Sequence, residues 1–121
     1  MSNDYVFNDT LPVAPLKIAA LESCRDLAEK VNSHIINFRR NDIEVLKKRQ
    51  ENLQYRGYDA DSYMLDCACP RFGSGEAKGI VNESVRGTDL YLLVDVANYS
   101  LTYSLCGREN HMSPDDHYQD L

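Results

Sequence analysis

The stretch from Pro70 to Val96 places the tightest limits on the fold, because three segments with different backbone demands follow one another in it. Phe72-Gly73-Ser74-Gly75-Glu76 is a glycine-rich loop ending in a carboxylate, Lys78 to Gly87 a polar strand closing on a tight turn, and Leu90 to Val96 an apolar run. Gly73 and Gly75 open backbone angles that a Cβ closes, so the chain can fold sharply with Phe72 and Glu76 on either side. Two readings follow. In one the loop is a surface turn, with Phe72 capping the core and Glu76 solvated. In the other it binds a ligand, the aromatic face stacking on a flat purine while the carboxylate accepts from exocyclic donors. A Walker-type phosphate loop is excluded, since no Gly-Lys-Ser or Gly-Lys-Thr follows and no helix pattern begins there.

The flanking segments read as alternating strand and helix. Met1 to Pro15, with Pro12 and Pro15, is an extended arm, and Leu16 to Leu21 a short buried strand. Ser23 and Asp26 are spaced as a capping pair for a helix whose apolar face carries Cys24, Leu27, Ala28, Val31, Ile35 and Phe38. Arg39 and Arg40 supply favourable charge at its end. Asp42 then caps a second helix from Ile43 to Gln54, stopped at Arg56-Gly57, whose Lys47, Lys48, Arg49 and Glu51 form a solvated face. Ser62 to Ala68 is a strand leading into Pro70, and Lys78 to Val85 a second one returning from the loop. The turn Arg86-Gly87-Thr88 delivers the chain to Leu90–Val94, whose unbroken apolar character predicts a central strand buried on both faces. Asp95 and Asn98 fall at its carboxyl end, where ligands gather in open α/β sheets; Asp95 is either a secondary site residue or a strand-end acceptor. Asn98 to Met112 reads as a loop. Ser113-Pro114-Asp115-Asp116 then starts a helix, with Ser113 as N-cap, proline in the first turn and two acids behind it.

With 121 residues the chain suits one domain. A net charge of −6 speaks against a nucleic-acid surface. No run approaches the ~20 apolar residues of a membrane span, and Met-Ser-Asn-Asp lacks the basic-then-apolar order of a signal peptide, so a cytoplasmic location is expected. Cys67 and Cys69 are two residues apart, which is not the spacing of a zinc knuckle; in a strand they share a face as small hydrophobes. Neither a metal, from these or from Cys24, Cys106, His111 and His117, nor a disulfide in a reducing compartment is expected.

Phe72 and Glu76, followed by Glu83-Ser84-Val85-Arg86-Gly87 and Asp89-Leu90-Tyr91, resemble the N-terminal half of ribose-phosphate pyrophosphokinase, the PRPP synthetase family, in a divergent subgroup. In that family an F-x-N/D-x-E turn contacts the adenine end of ATP in a neighbouring subunit's site, and E-S-V-R-G closes the following hairpin. The resemblance implies adenine contact by Phe72 and Glu76, and by Ser74, which stands where the family has Asn or Asp and offers one hydroxyl hydrogen bond. It also implies an allosteric phosphate site at Ser84 and Arg86, a guanidinium and hydroxyl on one tight turn; the rival role for Arg86 is a salt bridge to Glu83 or Asp89. The implied fold is α/β and phosphoribosyltransferase-like, an open, mainly parallel sheet with flanking helices and a β-hairpin.

The parent reaction would move the pyrophosphoryl group of ATP to ribose 5-phosphate with Mg²⁺, giving PRPP and AMP, in a homo-oligomer. Residues 16–121 would be an incomplete N-terminal portion of that domain, carrying no catalytic residue and leaving an unpaired sheet edge prone to association. The short last helix, which has little apolar stripe to bury, is read as marginal and as a sign of that incompleteness. Residues 42–57 and 98–112 are longer than the family pattern. Two alternatives remain: a non-catalytic nucleotide- or phosphate-binding module on the same half-domain, and an unrelated α/β domain lacking the hairpin.

Overall fold

A computed structural model of the chain describes residues 12–48 and 57–121. Within them β1 (Leu16–Ala20) leads through a single 3-10 turn, Glu22–Cys24, into α1 (Arg25–Lys48). Four of the remaining strands pair as hairpins: β2 (Cys67–Ala68) with β3 (Ile80–Val81), and β5 (Thr102–Leu105) with β6 (Arg108–His111). β4 (Asp89–Leu93) lies parallel to β1, Leu16 opposite Asp89 and Ala20 opposite Leu93, and α2 (Pro114–Asp120) ends the described chain. On the other side of β1 the Tyr63–Leu65 segment runs parallel: the Ile18 N–H donates to the Tyr63 carbonyl and the Leu65 N–H to the Ile18 carbonyl, both at 2.8 Å. The protein is thus a mixed α/β unit with a narrow parallel layer, and its antiparallel part is larger than the expected open parallel sheet allows for.

The core sits where α1 crosses β1. Ile18, Ala20, Ala28 and Tyr63 are buried together, with Leu16, Val31, Ile35, Ile36, Met64 and Leu93 packed on them. Asn32 of α1 fixes the third parallel segment by accepting the Tyr63 N–H at 2.8 Å and donating to Ser62 Oγ at 3.2 Å. Next to it the Arg39 guanidinium lies between two rings, 4.4 Å from Tyr58 and 4.8 Å from Tyr63, so a buried cation is held on aromatic faces. Asp42, fully buried, accepts the Tyr58 hydroxyl at 2.9 Å. Burial and then this hydrogen bond push the Tyr58 hydroxyl up to a pKa of about 12.

Several expectations need correction. Asp42 does not cap a new helix: α1 continues without a break through Lys48, because no glycine or proline interrupts Arg39 to Lys48 and the Asp42 carboxylate finds its partner across the core in Tyr58. The expected second helix beyond Lys48, like Arg56 and the arm up to Leu11, falls outside the described residues; Gly57 has the left-handed φ of +77° that a stop glycine takes. Ser23 and Asp26 form no capping pair. Ser23 Oγ instead accepts the Asp95 N–H at 2.9 Å, and its carbonyl accepts Asn98 Nδ2 at 3.2 Å, tying the start of α1 to the end of β4. The apolar stripe is also narrower than its spacing suggests, for Leu27 and Phe38 are exposed.

β4 is not a strand buried on both faces. Among the described residues it pairs only with β1, and Tyr91 and Leu92 are 63% and 55% exposed. Tyr91 and Leu92 therefore face outward on opposite sides of the strand, while Leu93 packs on the core. Residues 98–112, read as a loop, contain the β5–β6 hairpin, turning at Cys106 (φ +50°) and Gly107 (φ +79°) as a two-residue type I′ connection. α2, short as expected, is tied down by polar groups. Ser113 and Asp116 form a capping box, and buried His117 is hydrogen-bonded through Nε2 to the Asn98 carbonyl at 2.6 Å.

Candidate functional site

The Phe72–Glu76 loop is the tip of a long antiparallel ribbon. Cys67 opposes Val81, Ala68 opposes Ile80 and Arg71 opposes Ala77, one unbroken register closed at its base by the Asn82 N–H donating to the Asp66 carbonyl at 2.9 Å. At the tip the Phe72 N–H donates to the Glu76 carbonyl at 2.7 Å, and the Gly75 N–H to the Phe72 carbonyl at 2.9 Å. This is a three-residue connection whose last residue must be left-handed, and Gly75, at φ +91°, supplies it. Gly73 plays no such part: its φ is not positive, and a Cβ there would meet nothing within 4 Å.

Residues directly opposite each other in such a ribbon send their side chains to one face. Phe72 and Glu76 therefore emerge together, about 5 Å apart at Cβ. Phe72 is 52% exposed and Glu76 and Ser74 are exposed as well, so the pair faces solvent rather than capping the core. An aromatic plate beside a carboxylate on a backbone-locked turn can take a flat heterocycle bearing N–H donors.

The other ribbon face is packed. The second hairpin leans on the tip: the Cys106 N–H donates to the Gly73 carbonyl at 3.0 Å, and a Cβ on Gly75 would lie 2.9 Å from Leu105 Cδ1. Arg71 reaches the Gly75 carbonyl at 2.7 Å and Asp120 Oδ1 at 2.6 Å, with its guanidinium 4.7 Å above the Tyr103 ring. Sequence reasoning missed Arg71. The residue precedes the motif, and its partners Tyr103 and Asp120 are distant in the chain, so no local spacing signals it.

Behind this packing, at the carboxyl end of β1, lies a cleft of about 430 Å³ lined by Leu21, Arg25, Cys67, Cys69, Tyr103 and His117 among others. Cys67 and Cys69 do share a face, half-buried along this cleft, and all four cysteines are free thiols. Burial and then the nearby negative Asp120 push the Cys69 thiol up. Among the described residues no group of three His, Cys, Asp or Glu side chains could hold a metal ion.

Ser84 and Arg86 lie on a separate turn. The Arg86 N–H donates to Ser84 Oγ at 3.3 Å, and the Thr88 N–H to the Val85 carbonyl at 3.2 Å, with Gly87 at φ +72° as a type II turn requires. The turn closes no hairpin, since β3 and β4 belong to different sheets; it hands the chain from the ribbon to the parallel layer. Glu83 pairs with Lys17 at 2.8 Å, and among the described residues the exposed Arg86 enters no ion pair. Asp95 serves as a local acceptor, its Oδ1 taking the Ala97 N–H at 3.1 Å. The tip and the Ser84–Arg86 turn are thus two separate surface features.

No helix among the described residues is long and apolar enough to cross a membrane. The family model for the N-terminal domain of ribose phosphate pyrophosphokinase matches residues 16–119. No curated protein and no solved structure matches the chain.

Proposed function

The chain belongs to the family of ribose phosphate pyrophosphokinase N-terminal domains, and from that membership we propose that its exposed ribbon tip holds the adenine end of ATP for a PRPP synthetase. The observation that carries the proposal is the unbroken register placing Phe72 opposite Glu76 on the open face of the tip. Phe72 stacks on the purine, Glu76 accepts its exocyclic N–H, and Ser74 offers one hydroxyl bond. In the parent enzyme, of phosphoribosyltransferase-like fold, pyrophosphate passes from ATP to ribose 5-phosphate to give PRPP and AMP. Residues 16–121 contribute recognition to that reaction rather than catalytic groups. Mg²⁺ would come bound to the ATP phosphates, for the described residues offer no ligand cluster, and no step is assigned to it within this chain. The outward-facing tip supports the reading, carried by the family resemblance, that the adenine it holds belongs to the site of a neighbouring subunit; the proposed assembly is a homo-oligomer and its proposed location the cytoplasm.

Arg86 and Ser84 share one turn, and the exposed Arg86 enters no ion pair among the described residues, which supports a second, regulatory reading of that turn as a phosphate site. ATP titration of the chain and of Phe72→Ala and Glu76→Gln tests the first reading. Stacking on a base is worth about 1–3 kcal/mol, so Phe72→Ala should weaken ATP about tenfold or more. Equal affinities would refute the assignment. Phosphate titration of Arg86→Ala tests the second, with loss of binding expected.

A further inference from the structure

The tip that presents Phe72 and Glu76 is gripped from behind by one side chain. Arg71 Nη1 donates to the Gly75 carbonyl at 2.7 Å, and Nη2 donates to Asp120 Oδ1 at 2.6 Å and to the Asp116 carbonyl at 3.4 Å, while the guanidinium plane covers Tyr103. The two side chains of the ion pair are only 9% and 11% exposed, so solvent screens this pair far less than an exposed one. The charge on α2 is placed against local preference. Asp120 stands in the last turn, where the unsatisfied carbonyls of the helix oppose a carboxylate and favour a cation. A carboxylate there fits only if something outside the helix needs it, and its partner reaches on to the residue that sets the tip conformation.

We infer that Arg71 is a positioning residue for the ligand-binding turn. It locks the Gly75 carbonyl to α2 and β5, so that Phe72 and Glu76 meet their ligand already ordered and binding is spared the cost of fixing the loop. The fork is essential to this role. One end holds the loop backbone and the other the helix carboxylate, and the single ammonium of lysine cannot reproduce that geometry. Arg71 lies on the ribbon face opposite Phe72 and Glu76, so it acts through the turn and not on the ligand. The inference rests on the reading of the tip as an adenine-nucleotide site.

A double-mutant cycle on the 121-residue chain decides it, with ATP as ligand and thermal melting measured in parallel. Arg71→Lys and Arg71→Ala should each weaken ATP about tenfold, the scale of a lost charge-assisted hydrogen bond. In a Phe72→Ala background the same changes should cost clearly less, because only Glu76 and Ser74 remain to be positioned. Undiminished affinity in Arg71→Lys, or losses that simply add to that of Phe72→Ala, would overturn the inference. Should Arg71→Ala fail to fold, Arg71→Lys and Asp120→Asn carry the test. If Phe72→Ala alone leaves ATP binding unchanged, the adenine reading has failed, and amide exchange then judges the clasp by itself. Faster exchange at Gly75 and Cys106 in Arg71→Lys, with Ile18 and Leu65 unmoved, supports it, and unaltered exchange at the tip refutes it.

Discussion

Gly73 and Gly75 are two residues apart on one turn, yet replacing each with alanine should give opposite results. Gly75 sits at φ +91°, where an L side chain presses on its own backbone, a cost of roughly 1–2 kcal/mol. The new Cβ would also stand 2.9 Å from Leu105 Cδ1, closer than such atoms approach. That neighbour is the end of a flexible side chain, so it yields by a rotamer shift costing about 0.5–1.5 kcal/mol. Together Gly75→Ala should lose about 2 kcal/mol, or roughly 8 °C in melting temperature at about 4 °C per kcal/mol. Gly73→Ala meets open space at an ordinary φ, and by stiffening the unfolded chain should be neutral or stabilising by about 0.5 kcal/mol. Denaturant midpoints for the two variants and the parent measure the difference directly. Equal midpoints would show that the tip is not locked as described and would remove the basis for a pre-ordered turn.

Cys106 occupies a left-handed position, φ +50°, so Cys106→Gly should relieve strain and, after the entropy glycine costs in the unfolded chain, stabilise by about 0.5 kcal/mol in a denaturant midpoint. Tyr58 has its pKa raised to about 12, above the ~10 of an unfolded tyrosine, so its contribution is complete below pH 10 and is lost as pH rises from there towards 12. Alkaline melting curves should show that loss, and Tyr58→Phe should flatten it. Asp116 moves the other way. The Ser113 N–H, and also the Ser113 hydroxyl, hold its carboxyl below the ordinary carboxylate value. Its stabilisation is present above the unfolded value near pH 4 and is lost as pH falls through the folded one. Helical circular dichroism below pH 4 should fall in the parent and less in Asp116→Asn.

The parts of the fold legible in the sequence are those whose determinants are local. Leu16–Ala20, the buried face of α1 through Ala28, Val31 and Ile35, the Gly75 turn and the Ser113-Pro114 helix start all follow from residues within one or two turns of each other. Asp42 misled because a carboxylate within a helical pattern looks like a cap, and only the distant Tyr58 makes it a core acceptor. Leu90 to Leu92 misled for a related reason: apolar composition reports what a strand can bury, and among the described residues little covers these. At the site, Phe72 and Glu76 stand out through the ordered pair of motifs that resembles the family, since their spacing alone fits a plain surface turn, whereas Arg71, Tyr103 and Asp120 are brought together only by the packing of two hairpins and a helix. The Thr102–His111 hairpin had its signal in Cys106-Gly107 between two alternating stretches, but a type I′ turn with cysteine in first place is a weak one.

The parallel pairing of β1 with β4 bears on the order of events as the chain assembles. Leu16 must find Asp89 across the whole of α1 and the first ribbon, whereas each hairpin closes over a few residues. Closing the longer loop costs more entropy and is rewarded later, so the two hairpins and α1 should form in microseconds, ahead of the β1–β4 ladder. The ladder is then the last seam sewn, and the ion pair between Lys17 in β1 and Glu83, the residue after the base of the first ribbon, is the stitch that ties the early ribbon to it.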